Sequence, residues 1–223
     1  MRNCIRPYPA MMGMTTDWRD AAAAWWASPE WASYEEAYGD EPGTRTRLLA
    51  AATWATRILD LTPPEQELWR GVRKSYHAII NKGRRRYTTT VNPLGIEEAR
   101  ALHYLAAGHF TRAKRTWDLM GEWLRDGHAL LIVATDGGMP NAYAIWITHH
   151  GWAYYASGAA LVDNVQHAVI WESILALKAR GITTVELGWQ AKDGDTEKDR
   201  GIATFKRGFG GVDAPVVERA CAR

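Results

Sequence analysis

Ala129-Leu130-Leu131-Ile132-Val133-Ala134-Thr135, followed by Asp136-Gly137-Gly138, opens the passage whose periodicity decides the fold. A short apolar, β-prone run closed by a turn signal reads as a buried strand. Asp-Gly-Gly is a tight hairpin turn. Ala142 to Thr148 is the next strand, His149-His150-Gly151 a second turn, and Trp152 to Ser157 a third strand. The three form an antiparallel meander. Downstream, Gln166 to Arg180 places Val169, Ile170, Ile174 and Leu177 at helical spacing and stops at Gly181. Thr183 to Gly188 reads as a strand and Gln190 to Arg200 as a charged loop. A last short strand falls near Ala214 to Glu218.

Upstream, Arg57 to Leu61 alternates as a strand, whereas Arg47 to Ala55 fits strand or helix. Thr62-Pro63-Pro64-Glu65 is a helix start, and one helix is predicted over Glu65 to Lys82, ended by Gly83. Its apolar face is Leu68, Trp69, Val72, Tyr76, Ile79 and Ile80; its other face carries Arg70, Arg73, Lys74 and His77. Tyr87 to Val91 is β-prone, and Ile96 to Gly108 and Thr111 to Gly127 are helical. Residues 1–45 read as an irregular lead-in followed by a short helical region packed on the main domain, which takes 46–223. The layout of three meander strands, helix, strand, helix and strand is that of an N-acetyltransferase-like fold. It is an α+β domain with a mixed, largely antiparallel sheet flanked by helices.

The chain has 223 residues, 47% of them apolar, which is enough to fill a core. Its net charge of +2 excludes a globally basic protein, so any nucleic-acid contact must be local. Cys4 and Cys221 lie near opposite ends and match no metal spacing. The absence of a long apolar run or a signal-peptide pattern leads to a cytoplasmic expectation. Between Arg70 and Arg86 lie Arg70, Arg73, Lys74, Lys82, Arg84, Arg85 and Arg86 with no acid among them. A helix C-terminus accounts for one or two such charges, not for the whole run, which reads as anion-facing. Arg112, Lys114 and Arg115 form a second cluster where a helix begins, a placement that opposes the helix dipole.

The stretch Gly201-Ile202-Ala203-Thr204-Phe205-Lys206-Arg207-Gly208-Phe209-Gly210-Gly211 joins aromatics, cations and glycines. It resembles the Phe-Lys-x-Gly-Phe-Gly-Gly signature of Fem-type transferases. Thr53-Trp54-Ala55-Thr56-Arg57-Ile58-Leu59-Asp60-Leu61, then Leu68 to Tyr76, then Ile79-Ile80-Asn81-Lys82-Gly83, is similar to a second passage of that superfamily, in the same order. The resemblance covers about residues 54 to 211 and implies an acyltransferase taking an amino acid from aminoacyl-tRNA. It implies that Lys206 is catalytic, holding a phosphate or the developing oxyanion. It further implies tRNA contacts from Phe205, Lys206, Arg207, Lys82, Arg84, Arg85 and Arg86, and substrate contacts from Arg73, Lys74, Tyr76, Tyr154 and Trp189. No metal and no cofactor are expected, with aminoacyl-tRNA as co-substrate. Longer Fem proteins carry two such domains. One domain here favours a small soluble amine acceptor, as in the stand-alone transferases that add alanine to the amino end of uridyl-peptide antibiotics.

Acyl transfer to an amine needs positioning, removal of a proton and stabilisation of an oxyanion, but no protein nucleophile. This chain has no nucleophile-elbow serine, zinc motif, Walker loop or Rossmann fingerprint. Glu186 and Glu172 are the carboxylates nearest the expected cleft. Two other functions stay open. An acyl-coenzyme A N-acyltransferase needs a glycine pattern for the pyrophosphate, and Ser157 to Gln166 lacks one. An RNA-binding module would use the basic helix without turnover.

Overall fold

The computed structural model describes residues 46–48, 54–191, 195–216 and 219–221. The helical region expected over 1–45 lies outside them.

A seven-stranded sheet organises the described chain. In chain order its strands are β2 (Trp54–Asp60), β3 (Thr88–Val91), β4 (Ala129–Asp136), β5 (Met139–His149), β6 (Trp152–Ala160), β7 (Thr184–Gln190) and β8 (Val212–Val216). Their spatial order is β3-β4-β5-β6-β7-β2-β8. All neighbours are antiparallel except β6 and β7. A separate two-stranded ribbon pairs β1 (Thr46–Leu48) with β9 (Arg219–Cys221). The meander, the antiparallel bias and the single parallel pair reproduce the layout expected from the sequence.

Helices cover both faces. On one lie α2 (Lys74–Arg86) and α5 (Val165–Ala179), over Leu130, Ile132, Trp146 and Val185. On the other lie α3 (Ile96–Ala107) and α4 (Lys114–Arg125), whose Leu102, Trp117 and Met120 meet Leu131, Val133 and Ile145. Alternate residues of β4 therefore feed opposite cores. That is why this strand reads as a continuous apolar run.

The helix predicted over Glu65 to Lys82 is two helices. The first, α1 (Glu65–Gly71), ends before Val72 and Arg73, which are extended at ψ 137° and 130°. Val72 is buried, and the Arg73 amide donates to the Gly208 carbonyl at 2.8 Å. A tertiary hydrogen bond replaces a helical one, and periodicity cannot report that. Gly83 does not end α2 but lies inside it, buried. A Cβ there would come 2.6 Å from the Cβ of Ala168, so this glycine is the contact at which α2 and α5 touch.

The loop expected over Gln190 to Arg200 gives way to α6 (Glu197–Arg207), whose start is fixed by a capping box. The Thr196 hydroxyl accepts from the Asp199 amide, and the Asp199 carboxylate accepts from the Thr196 amide, both at 3.2 Å. The helix stops at Gly208, and that residue is glycine for a steric reason. A Cβ on Gly208 would stand 2.0 Å from Cε2 of Tyr76. Gly210 and Gly211 follow with φ of 92° and 80°, and a Cβ on Gly211 would meet the Ile58 carbonyl oxygen. Gly208→Ala is expected to cost about 1–3 kcal/mol by overpacking. Urea unfolding checks this, and in a double-mutant cycle the loss should be smaller when Tyr76 is also Leu.

Candidate functional site

The parallel ladder of β6 and β7 is short. Trp152 pairs with Thr184, Ala153 with Val185 and Tyr154 with Glu186, and there it stops, although both strands run on. Each strand carries a bulge just past that point. On β6, Tyr155 faces Trp146 and Ser157 faces Ile145, so Ala156 is the extra residue. On β7, Glu186 faces Ile58 and Gly188 faces Arg57, so Leu187 is extra. A bulge disrupts its ladder and sharpens the local twist. Two of them side by side part the strands.

Parted strands leave backbone groups that need partners. On β6, Arg112 donates to the Ala156 carbonyl at 3.1 Å and to Ser157 Oγ at 2.5 Å. On β7, Lys206 Nζ donates to the Trp189 carbonyl at 3.0 Å, and Gln190 Nε2 donates to the Gly188 and Trp189 carbonyls. One cation thus holds each side of the opening. Arg112 carried no assigned role in the sequence, since nothing local distinguishes it from Lys114 and Arg115. Those two pair with Asp118 and Glu122, which accounts for the cations at the start of α4.

The end of α6 divides its side chains between packing and the opening. Phe205 and Phe209, four residues apart, share a face. They surround Tyr76 and His167, with ring centroids 4.4 Å apart for Tyr76–His167, 4.9 Å for His167–Phe205 and 5.2 Å for Phe205–Phe209. The Tyr76 hydroxyl donates to the Phe205 carbonyl at 3.4 Å. Tyr76 is buried, and burial pushes its phenol above the usual value despite Arg73 nearby. The structure thus gives Tyr76 a packing position and Phe209 a core one, with Phe205 half-buried.

Lys206 points the other way. Its ammonium and the Tyr154 hydroxyl both lie against the bare α-carbon of Gly188, 3.7 and 3.6 Å from where a Cβ would be. Gly188 has φ 78°, so the position suits glycine on backbone grounds as well. Beside them Glu186 is buried in the last shared pair, and its Oε1 accepts from the Thr56 hydroxyl at 2.7 Å. An ammonium and a phenol therefore converge where β6 and β7 part, with the Thr56-bound Glu186 carboxylate on the residue paired with Tyr154. That set can stabilise an oxyanion and accept a proton. Glu172, the other carboxylate considered, binds Arg84 at 2.6 Å on α5.

The remaining residues singled out in the sequence are spread. Arg73 reaches the Thr204 carbonyl at 3.5 Å and stacks over Tyr76, so it and exposed Lys74 flank the end of α6. Trp189 is half-buried on β7. Arg207 pairs with Asp213, which also holds Arg57. Lys82 and Arg85 are exposed, Arg84 binds Glu172, and Arg86 binds Asp136 at 2.9 Å. From Lys74 to Arg84 is ten residues of helix, about 15 Å. The basic run is thus two groups, of which Arg73 and Lys74 flank the end of α6.

A hydrogen-bonded chain backs the β6 side. The Tyr143 phenol shares a 2.7 Å bond with Ser157 Oγ, His103 Nδ1 lies 2.8 Å from that phenol, and His103 Nε2 lies 2.7 Å from Thr111 Oγ1. Burial pushes the Tyr143 phenol up to about 12, against the hydrogen bond from Ser157. Burial pulls His103 down to about 4, helped by the nearby Arg112 and His109 charges. His103 is therefore neutral at pH 7. Among the described residues no group of three or more His, Cys, Asp or Glu is placed to hold a metal, and no helix is long and apolar enough to cross a membrane.

No family model matches the chain, and no curated protein matches its sequence. Solved structures do. The fold is similar to that of FemX, with a TM-score of 0.60 and 14% identity over 86% of this chain and 67% of that one. It is also similar to L-PGS from Bacillus licheniformis, at 0.55 and 14% over 79% and 62%. A third is the C-terminal domain of a putative lysylphosphatidylglycerol synthetase from Agrobacterium fabrum, at 0.58 and 12% over 78% and 60%. The chain spans about two thirds or less of each. It has the Fem-like fold.

His103 gives the site a pH signature. The unfolded chain takes a proton near the ordinary pKa of 6.5, whereas the folded one resists until about 4. The stability it contributes is therefore complete above pH 6.5 and is lost as the pH falls towards 4. Urea unfolding across this window should show a steeper loss for the native protein than for His103→Gln.

Proposed function

We propose that this protein is an aminoacyl-tRNA-dependent transferase that forms an amide on a small amine-bearing acceptor, in the cytoplasm. The observation that carries the reading is the convergence of Lys206 and Tyr154 on Gly188 at the parting of β6 and β7, with Glu186 paired to Tyr154 in the ladder just before it. The Fem-type signature at Phe205 to Gly211 and the FemX-like fold support it.

In this reading the aminoacyl ester lies in the opening. The acceptor amine attacks the ester carbonyl carbon, a C–N bond forms, and the carbonyl oxygen gathers negative charge. The Lys206 ammonium and the Tyr154 hydroxyl stabilise that charge. The C–O bond to the ribose then breaks, and the proton lost by the amine ends on the departing ribose oxygen. Glu186 is the protein carboxylate placed to relay it. Arg73 and Lys74 meet phosphates of the acceptor strand, with Trp189 and Phe205 beside them. Exposed Lys82 and Arg85 extend the contact along α2, joined by Arg84, Arg86 and Arg207 where their ion pairs yield to phosphate. The acceptor is a peptide-like or nucleoside-peptide amine, as in antibiotic assembly. Coenzyme A is the weaker donor, because the turn from β6 to α5 has no glycine after Gly158 and Gln166 is bonded to the Tyr143 carbonyl and Tyr155 hydroxyl.

Single-turnover transfer of labelled amino acid from aminoacyl-tRNA to a panel of small amines tests the assignment. Lys206→Ala is expected to slow the chemical step by about 10²–10³-fold, and Tyr154→Phe by about tenfold or more, with little change in tRNA affinity for the latter. Equal rates in all three proteins would contradict it.

A further inference from the structure

A second opening lies away from the parted strands. It is a cleft of about 790 Å³ between α1, α2 and α5, lined by Pro64, Glu65, Gln66, Trp69, Asn81, Arg84 and Trp171. A volume of this order suits a small organic ligand.

Its walls are ordered for a particular chemistry. Trp69 is half-buried, with one ring face stacked on His77 at 4.3 Å and 16°. His77 is itself held by a 3.0 Å bond between Nε2 and the Trp69 carbonyl. Trp69 meets buried Trp171 in an edge-on contact at 4.9 Å. The indole is thus held by two ring contacts while it lines the cleft, which makes it a rigid stacking surface at little entropic cost. Arg84 is the cation of the cleft. Glu172 holds it through Nε at 2.6 Å, which fixes the guanidinium and leaves its terminal nitrogens for an anion. His77, Asn81 and Arg84 occur at i, i+4 and i+7, one face of α2, so the stack and the cation lie ~10 Å apart along one helix. Between them Asn81 and Gln66 offer amide donors and acceptors, and Glu65 a carboxylate suited to hydroxyls.

We propose that this cleft binds a nucleotide, with its base stacked on Trp69 and its phosphate on Arg84. Asn81 and Gln66 meet the base edge, and Glu65 accepts from the ribose hydroxyls. Stacking on an aromatic side chain is tolerant of base identity, so the site reads a nucleotide rather than one base. The source is a mononucleotide or one nucleotide of a single-stranded RNA. The inference does not need the transferase reading: Lys206 and Tyr154 take no part in it, and Arg84 alone is shared between the two.

Equilibrium dialysis of the full chain against AMP, UMP, adenosine, ribose 5-phosphate and a trinucleotide RNA tests it. The expected result is saturable binding of AMP and UMP, with adenosine and ribose 5-phosphate at least tenfold weaker. Trp69→Leu and Arg84→Gln should each weaken AMP at least tenfold, and Lys206→Ala should not change it. Arg84 is 42% exposed, so its variant keeps the test valid if Trp69→Leu folds poorly. A trinucleotide binding tenfold tighter than AMP identifies RNA as the source; equal affinities identify a mononucleotide. No saturable binding of any probe, ribose 5-phosphate binding as tightly as AMP, or AMP binding unchanged in Arg84→Gln would overturn the proposal.

Discussion

Two adjacent bulges govern this structure. Ala156 on β6 and Leu187 on β7 are each one residue too many for the neighbouring antiparallel strand, and they fall just past the last parallel pair, Tyr154 with Glu186. A buried sheet centre cannot be opened without cost, because every parted amide and carbonyl forgoes a partner. The chain meets that cost with side chains from two distant segments. Arg112 arrives from the connection before α4, and Lys206 from the last turn of α6. What looks like a gap in the sheet is a maintained opening with a cation on each side.

Placing Lys206 requires the rest of the signature to do structural work. Phe205 and Phe209 seat α6 against Tyr76 and His167, and Gly208 is bare because the Tyr76 ring occupies the space a side chain would need. Rotation of about 100° per residue then aims position 206 away from this cluster and at β7. The break after α1 belongs to the same assembly, since it releases the Arg73 amide to bond Gly208. Motif residues that look like a binding loop are mostly a mount for one ammonium.

This explains what the sequence made legible. Strand and helix periods gave the meander, α5 and β7 to within a few residues, because those elements bury regular stripes. The boundary between α1 and α2 was invisible, because the hydrogen bond that replaces the helical one comes from residue 208. Gly83 read as a stop signal, yet it marks helix contact with Ala168. The basic run read as one surface, but ion pairs to Glu172 and Asp136 divide it. Both partners lie far along the chain, on α5 and at the end of β4. Lys206 could be singled out from its motif. Arg112 could not, because its role depends on a bulge that only the register of β5 and β6 reveals.

The central claim is that the opening held by Arg112 and Lys206 receives an aminoacyl ester carried on RNA. Filter retention of the protein with a pool of radiolabelled aminoacyl-tRNAs, and separately with labelled acetyl-coenzyme A, tests it directly. The account predicts retention of aminoacyl-tRNA that falls steeply with salt, as phosphate contacts require, and that Lys206→Ala reduces it. Retention of acetyl-coenzyme A with none of the aminoacyl-tRNAs would contradict it.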